Sequence, residues 1–410
     1  MGKKILSAVV AVIMLLAVVL SVSSCGEKTT GFEAISKENL KIGFIALHDE
    51  SSTYDKNFID AIYRALDNLG LSKDQLVLYT GVDESSACYD KAKACVNQGC
   101  NVVFADSFGH EDFMIQAAQE FPNVRFCHAT GTKAHTLGAD NYSNAFASIY
   151  EGRYLAGIAA GMKLNEMIAS GKITADKAVM GYVGAYTYAE VISGYTSFYL
   201  GAKSVCPSVT MKVKFTGTWY DTDKEYTAAK SLIGEGCVLI SQHADSYGAP
   251  TACEEAGVPN VSYNGSTEVQ GPNTYIVASK INWTPYFEYM INCTLEGKVI
   301  DKDWTGTLST DSVQLLSLSG VAASGTQEAI DKAAAELKAG TLHVFDTSKD
   351  NYITVGGQKL TTYTADVDDM GDYVPETEAV SGGYFHESEY RSAPYFNIEI
   401  DGITLLNKEL

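Results

Sequence analysis

Basic residues are scarce in this chain of 410 residues. Lysine and arginine together number 30 against 50 aspartates and glutamates, which gives a formal net charge of −20 at pH 7. The backbone phosphates of nucleic acids are held by lysine and arginine, and no basic block interrupts the acidic background. The composition therefore argues against nucleic acid as a partner, while 46% hydrophobic residues favour a soluble protein with a buried core.

The motifs of several enzyme and nucleotide-binding classes are also missing. The chain has no GxGxxG after its first predicted strand, no Walker lysine loop, no HExxH and no GxSxG. A triad of Ser107, His128 and Asp106 can be assembled on paper, but nothing in the spacing favours it. Cys95 and Cys100 have no partner pair at the spacing of a zinc site. We therefore expect that the chain is not an enzyme and has no cofactor and no metal.

Long hydrophobic runs are confined to the N-terminus. Lys3 and Lys4 precede an almost unbroken apolar run over 5–22, and small residues then lead into Cys25. This pattern predicts a secretory signal over 1–24. Its ending, LSVSSC, resembles a bacterial lipobox, which implies cleavage before Cys25 and a lipid on its sulfur. The alternatives are a transmembrane helix and a plain secretory peptide.

The residues after Cys25 are polar, as in a tether that separates a lipid from a folded body. We expect this tether to cover 25–38. The mature protein is then predicted to lie on the extracytoplasmic face of the cell membrane, held there by its lipid anchor.

Eight cysteines remain after Cys25, and on the oxidising side of a membrane they allow up to four disulfides. Cys127 and Cys237 lie in apolar, strand-like runs, whereas Cys88 and Cys95 lie seven residues apart on a helical pattern. Small buried thiols are common in such positions. The placement favours mostly buried free thiols.

From residue 40 the chain alternates twice between short apolar runs and helical segments, the pattern of parallel βαβ units. Strands are predicted at 41–47, 76–79, 101–105, 124–128, 178–184, 209–216, 237–241, 259–263 and 275–278, and helices at 58–69, 86–98, 111–120, 145–167, 189–204, 223–234 and 247–255. The fold class is thus α/β, with two doubly wound, Rossmann-like lobes. Two such lobes in one exported chain suggest the clamp of a periplasmic-type (type I) solute receptor.

We assign the domains from the same pattern. The first lobe is expected to comprise 39–148 and 283–308, and the second lobe 149–282 and 309–345. Residues 346–410 have a hairpin-like and then an acidic, β-like sequence, and are expected to form a C-terminal β-rich appendage packed on the outside. The glycine-rich and alanine-rich run YLAGIAAG, over 154–161, predicts a close approach between two helices.

Aromatic and polar residues concentrate where the predicted strands end, which is where a doubly wound protein places its ligand contacts. Tyr54, Phe108 and Trp219 are expected to face the cleft and to stack on a flat ligand. Asp221, His243 and Asp245 are candidates for hydrogen bonds to its edge. Sugar receptors also stack aromatic rings on their ligands, so these rings alone do not separate a sugar from a purine. Asp221 precedes a predicted helix and is equally suited to be its N-cap.

Several stretches resemble one receptor family. They are SFG at 107–109, FPNVRFCHATG at 121–131, YEGRY at 150–154, WYD at 219–221, QHADS at 242–246 and WTPYF at 283–287. The chain is identified on these residues as similar to the basic membrane protein family, the lipoprotein receptors of purine-type ABC importers, and is most similar to adenine-binding members.

The resemblance implies that Tyr54, Phe108 and Trp219 stack on the base and that Asp221, His243 and Asp245 read its edge or frame the pocket. It also implies that Trp283, at the returning crossing between the lobes, is a ligand-binding residue. The family's nucleoside-binding branch holds ribose with an aspartate and a lysine, which are missing from SYNGST at 262–267 and SKIN at 279–282. The implied ligand is therefore a purine base, adenine-like, before a nucleoside. The implied partners are an ABC permease and the membrane, and the protein is expected to be a monomer. The alternatives are a ligand-sensing receptor of the same fold and a sugar-binding receptor.

Overall fold

The computed structural model describes residues 31–368 and 374–408. The predicted signal and Cys25 lie outside the described residues. None of the helices in the described ranges has the length and apolar character needed to span a bilayer.

Nineteen strands and ten helices are present in the described ranges. The strands are β1 Ile42–Ile45, β2 Leu76–Tyr79, β3 Val102–Ala105, β4 Arg125–Ala129, β5 Tyr142–Ala147, β6 Val179–Gly184, β7 Thr210–Phe215, β8 Leu239–His243, β9 Asn260–Tyr263, β10 Tyr275–Ile281, β11 Asp303–Gly306, β12 Val313–Leu315, β13 Thr354–Val355, β14 Gln358–Lys359, β15 Thr364–Ala365, β16 Thr377–Glu378, β17 Val380–Ser381, β18 Tyr384–Phe385 and β19 Ile403–Leu405. The helices are α1 Thr53–Leu69, α2 Ser86–Asn97, α3 Glu111–Glu120, α4 Ala134–Leu137, α5 Ile149–Ala169, α6 Ala189–Val205, α7 Thr222–Gly234, α8 Gly248–Ala256, α9 Thr284–Leu295 and α10 Thr326–Lys338.

Two large sheets form the two lobes and confirm the predicted α/β fold. The sheet of the first lobe has the order β11-β5-β4-β3-β1-β2, and all its neighbours are parallel. The sheet of the second lobe has the order β12-β10-β9-β8-β6-β7-β19, parallel except for the β10–β12 pair. Strands such as β1 and β3 are buried along their whole length, as expected of parallel strands covered on both faces.

The chain passes between the two sheets three times, after β5, after β10 and after β11. The predicted helix over 145–167 began too early, because Tyr142–Ala147 is a strand paired with β4 and the helix begins at Ile149. The run YSNAFA is buried at all six positions, so the sheet determines its conformation. The later elements β11, β12, α9 and α10 had no counterpart in the sequence analysis.

Helices α5 and α6 pack with almost no space between their backbones. A Cβ atom added to Gly157 would lie 2.1 Å from the Phe198 carbonyl oxygen, and one added to Gly201 would lie 2.0 Å from that of Tyr154. Only glycine permits this approach. The close helix packing predicted from YLAGIAAG is therefore confirmed.

The C-terminal residues belong to the second lobe's core and sheet. Strand β19 pairs in parallel with β7 at the edge of the sheet. Phe345 stacks on Phe396 with ring centroids 4.4 Å apart, and both rings are buried in the hydrophobic core that contains α5 and α6. The boundaries of the predicted appendage stay a prediction, but the described part of it contributes a strand and core side chains to the lobe.

All eight cysteines in the described ranges are free and buried. They lie in the hydrophobic cores of the lobes. The prediction of mostly buried free thiols is therefore confirmed.

Candidate functional site

A cavity of about 370 Å³ lies between the lobes, at the carboxyl ends of both sheets. Ligands of doubly wound folds bind at this edge because the strand ends and helix starts converge there. The lining residues come from both lobes. They are Leu47, His48, Tyr54, Asp55, Ser107, Phe108, Thr130, Glu190, Trp219, His243, Asp245 and Tyr263.

The first turn of helix α1 brings Tyr54 and Asp55 to the cavity. Ser52 caps this helix, since its side chain accepts a hydrogen bond from the backbone N–H of Asp55 at 3.2 Å. The Tyr54 hydroxyl donates to the carbonyl of Asp106 at 2.7 Å, which fixes the ring at the end of β3. The start of the helix therefore determines where the stacking ring lies.

Asp55 is buried and well supplied with donors. Its carboxylate accepts from the backbone N–H of His48 at 2.7 Å and from the Ser52 hydroxyl at 2.6 Å, and the His48 Nδ1 lies 3.3 Å away. Its charge acts on a neighbour: burial, and then the Asp55 carboxylate, raise the pKa of Asp106 well above its usual range. One oxygen of Asp106 still accepts from the backbone N–H of Leu47 at 3.1 Å.

His243 and Glu190 form the polar wall of the second lobe. The His243 Nε2 lies 3.4 Å from Glu190 Oε1, and the imidazole is almost fully buried. Burial lowers the pKa of His243, and Arg153 lowers it further, whereas Glu190 raises it. Since burial is the largest of these effects, His243 is neutral at pH 7 and offers one donor and one acceptor nitrogen.

Tyr263 packs between His243 and a buried arginine. Its ring centroid is 4.5 Å from that of His243, and the Arg153 guanidinium carbon lies 4.9 Å from the Tyr263 ring. Arg153 donates to the hydroxyls of Tyr182 and Ser241 and to the carbonyl of Gln242. This cation fixes the Tyr263 ring by a cation–π contact from behind the cavity wall.

Asp245 is a buried acceptor of the site. Its backbone carbonyl accepts from Thr53, at 3.0 Å from the N–H and 3.2 Å from the hydroxyl, so it ties the two lobes together. Within the described ranges no protein donor reaches its carboxylate. Burial raises the pKa of Asp245 well above its usual range, with further contributions from Glu225, Asp55 and Glu190. A ligand donor would supply the missing hydrogen bond.

The lobes are closed on this cavity. Besides the Thr53 to Asp245 contact, the Asn57 amide of α1 donates to the carbonyl of Ile281 in β10. The His48 ring also lies 5.4 Å from that of Tyr220 across the cleft. The cavity is therefore enclosed by contacts between the lobes.

Acidic groups outnumber basic groups in the lining of the cavity. The carboxyl groups of Asp55, Glu190 and Asp245 line it, and the histidines are its only titratable bases among the lining residues. A phosphate group would meet these carboxylates at close range, whereas amino and ring N–H groups would find acceptors. The site thus favours an uncharged or cationic aromatic ligand.

Five of the seven ligand residues predicted from the sequence lie at this cavity: Tyr54, Phe108, Trp219, His243 and Asp245. Asp221 and Trp283 do not. Asp221 accepts from the backbone N–H of Lys224 at 2.9 Å and caps α7. The Trp283 indole is buried in the first lobe, stacked 4.3 Å from Phe58, because the turn into α9 directs it into the core.

The sequence analysis did not select Glu190 and Tyr263. Glu190 stands two residues after Tyr188, in the first turn of α6, and Tyr263 ends strand β9. Both stand at strand or helix ends, the same signal that selected the others.

Two doubly wound lobes that close on an aromatic, acidic cavity define a solute-binding protein of the periplasmic type. The family model described as ABC transporter substrate-binding protein PnrA-like matches residues 42–348. The chain therefore belongs to this family, the basic membrane protein family of the resemblance above.

The chain is also similar to two curated relatives and to one solved structure. It is 33% identical over 270 residues to a purine-binding protein of Brucella abortus, covering 65% of this chain and 72% of that protein. It is 33% identical over 207 residues to a provisionally named ABC transporter glucose-binding protein of Haloferax volcanii, covering 50% and 49%. An ABC transporter solute-binding protein of Aeropyrum pernix has the same fold, with a TM-score of 0.63, 15% identity and coverage of 76% and 94%.

Proposed function

We propose that this protein binds a purine base, adenine-like, or a nucleoside between its lobes and delivers it to an ABC permease for import. The observation that carries the proposal is the pairing of aromatic rings with a buried acceptor in one cavity. Phe108 and Trp219 line it from opposite lobes, and the Asp245 carboxylate has no protein donor within the described ranges. A stacked base gains about 1–3 kcal/mol on such rings.

The acidic lining selects among aromatic ligands. Adenine offers an exocyclic amino group and a ring N–H, which match acceptors such as Asp245 and Glu190. Nucleotides are disfavoured because their phosphates would be buried beside those carboxylates. The named binding activity of the Brucella relative supports the same ligand class, while the Haloferax relative makes glucose the natural competitor.

Calorimetry on the chain without its predicted signal tests this proposal. We expect binding of adenine, with guanine, hypoxanthine and adenosine as comparison ligands and glucose as the competitor from another class. Binding of glucose with no binding of any purine would overturn the proposal. Ligand that co-purifies under native conditions and is identified by mass spectrometry gives an independent answer.

We further propose that Cys25 carries a lipid that holds the protein beside its permease. A tethered receptor has a higher effective concentration at its partner than a diffusing one. A Cys25→Ser chain is expected to bind ligand with unchanged affinity, to leave the membrane fraction and to lose uptake in cells. Retention of the variant in the membrane fraction would contradict the lipid anchor.

A further inference from the structure

The C-terminal residues outside the family match bridge the two lobes beside the cleft. The backbone N–H of Ser392 donates to Asp303 of β11 at 2.9 Å, and the Thr136 hydroxyl donates to the carbonyl of Asp368 at 3.2 Å. These contacts are with the first lobe. In the second lobe, the Ser193 hydroxyl donates to Glu387 at 2.5 Å. This segment therefore covers one side of the cleft and is fixed to both lobes.

A second cavity, of about 760 Å³, lies under this segment. Phe108, Thr130 and Glu190 line both this cavity and the ligand cavity. The two spaces therefore adjoin at these three residues. We call the second cavity the outer chamber of the site. The wall on its far side is formed by C-terminal residues that include Asn397 and Pro394.

The lobe side of the outer chamber is rich in hydroxyl groups. Thr130, Thr132 and Thr187 line it, together with the carboxylate of Glu190. The turn that carries Thr130 and Thr132 is rigid. Its φ angle at Thr130 is +66°, and a Cβ atom on Gly131 would lie 2.3 Å from the Asn144 Oδ1, so the turn needs glycine at 131.

Buried charged groups hold both walls in place. The Glu111 carboxylate accepts from the backbone N–H of Thr132 at 2.8 Å and from that of Lys133 at 3.0 Å. On the C-terminal side, the Arg391 guanidinium donates to the carbonyls of Val367, Ala393 and Pro394 at 3.1–3.3 Å. The chamber is therefore preorganised on two sides, which reduces the ordering cost of binding.

We propose that residues 391–397, with the threonines opposite, form an outer subsite for a hydroxylated substituent of the ligand's aromatic ring. This inference rests on the proposed purine-binding function and deepens it, since it names a nucleoside-like ligand. The Thr187 hydroxyl and the Asn397 amide can both donate and accept. The Thr130 and Thr132 hydroxyls donate to the Ala129 carbonyl and to Glu111, so towards a ligand they accept, as Glu190 does. These groups match the donors and acceptors of a sugar, whereas a bare base would leave the chamber to water.

Calorimetry on the full chain with adenine, 9-methyladenine and adenosine tests the outer subsite. Wild-type protein is expected to bind adenosine at least about tenfold more tightly than 9-methyladenine, because only adenosine brings hydroxyls into the chamber. Asn397→Trp places an indole ring in the chamber. The variant is expected to lower the affinity for adenosine at least about tenfold and to change the affinity for adenine by less than about twofold. The reason is that the steric block acts only on the substituent. Asn123→Trp, at an exposed asparagine that lines neither cavity, is the matched control.

Thr187→Val provides a second variant with a smaller change of volume, in case the tryptophan disturbs folding. It removes one hydroxyl at an exposed position and is expected to weaken adenosine by about threefold without affecting adenine. The outer subsite is wrong if adenine binds but adenosine binds no more tightly than 9-methyladenine. It is also wrong if neither variant lowers the affinity for adenosine more than the affinity for adenine. The proposed function stands in both cases. If no purine binds, the proposed function itself fails.

Discussion

Phe108 of the first lobe stacks on Tyr188 of the second, with ring centroids 5.0 Å apart and an angle of 29° between the planes. Tyr188 in turn stacks on Tyr186 at 5.1 Å, and Tyr186 meets the edge of Trp219 at 5.1 Å. These four rings therefore form one continuous set that spans the cleft. Phe108 serves twice, as a wall of the ligand cavity and as a contact between the lobes.

Replacing Phe108 by alanine is expected to weaken adenine binding by about 1–3 kcal/mol, the value of one base-stacking contact. Tyr188→Ala removes a ring that does not line the ligand cavity and is expected to cost less, while Tyr188→Phe keeps the ring and serves as the control. Calorimetry with adenine measures all three. Unchanged affinity in Phe108→Ala would show that the base does not lie on this ring.

Asp245 is expected to accept a hydrogen bond from the amino group of the ligand. In Asp245→Asn one of the two acceptor oxygens becomes an NH2 donor, so adenine should bind at least about tenfold more weakly. Hypoxanthine, which has a carbonyl in place of the amino group, should lose less. The paired variant Asp221→Asn changes a helix cap away from the cavity and should leave adenine affinity as it was. An equal loss of adenine affinity in the two variants would show that Asp245 does not bind the ligand.

Up to β10, every predicted strand and helix has a counterpart in the structure, because parallel strands are short, apolar and separated by helices of clear periodicity. Five of the ligand residues that the sequence predicted lie at the cavity, because the strand ends of a doubly wound sheet meet at one edge. The sequence could not show side-chain direction. Trp283 stands at a strand end like Trp219, yet its indole turns into the core against Phe58, and Asp221 caps α7.

Contacts between distant parts of the chain were beyond the sequence pattern. The pairing of β19 with β7 joins residues almost two hundred positions apart, and no local signal records it. The helix predicted over 145–167 includes the last three residues of strand β5, because the alanines at 145 and 147 suit both states. Burial between β4 and β11 determines the outcome there.

The contact between α5 and α6 predicts a large difference between two glycine substitutions. Gly157→Ala places a methyl group against the Phe198 carbonyl and is expected to lower the free energy of unfolding by about 1–3 kcal/mol or more. Gly234→Ala, in helix α7 with open space around it, should raise stability by about 0.5–1 kcal/mol. Urea unfolding followed by circular dichroism compares them. A similar effect of both would mean that the helices do not approach as closely as the structure shows.

Glu387 predicts how stability depends on pH. Burial raises its pKa to about 7 from an ordinary value of 4.5, and the hydrogen bonds from Ser193 and Ser388 only partly oppose this. Between these two values the folded protein keeps a proton that the unfolded chain has released. The free energy of unfolding should therefore fall as pH rises from 4.5 to about 7 and level off above it. Burial also raises the pKa of Glu151 and Glu225 to about 7, so they add to the same trend.

Glu387→Gln removes one titrating group from this window and keeps an oxygen that accepts from Ser193. As pH rises between the ordinary and the raised pKa, the free energy of unfolding of the variant is expected to fall by about 1–3 kcal/mol less than that of the wild type. A pKa unit corresponds to about 1.4 kcal/mol. Urea unfolding at several pH values between the ordinary and the raised pKa measures the difference. Glu328→Gln, at an exposed position in the first turn of α10, should follow the wild-type curve. If Glu387→Gln also follows that curve, the Glu387 carboxyl does not hold its proton in the folded protein.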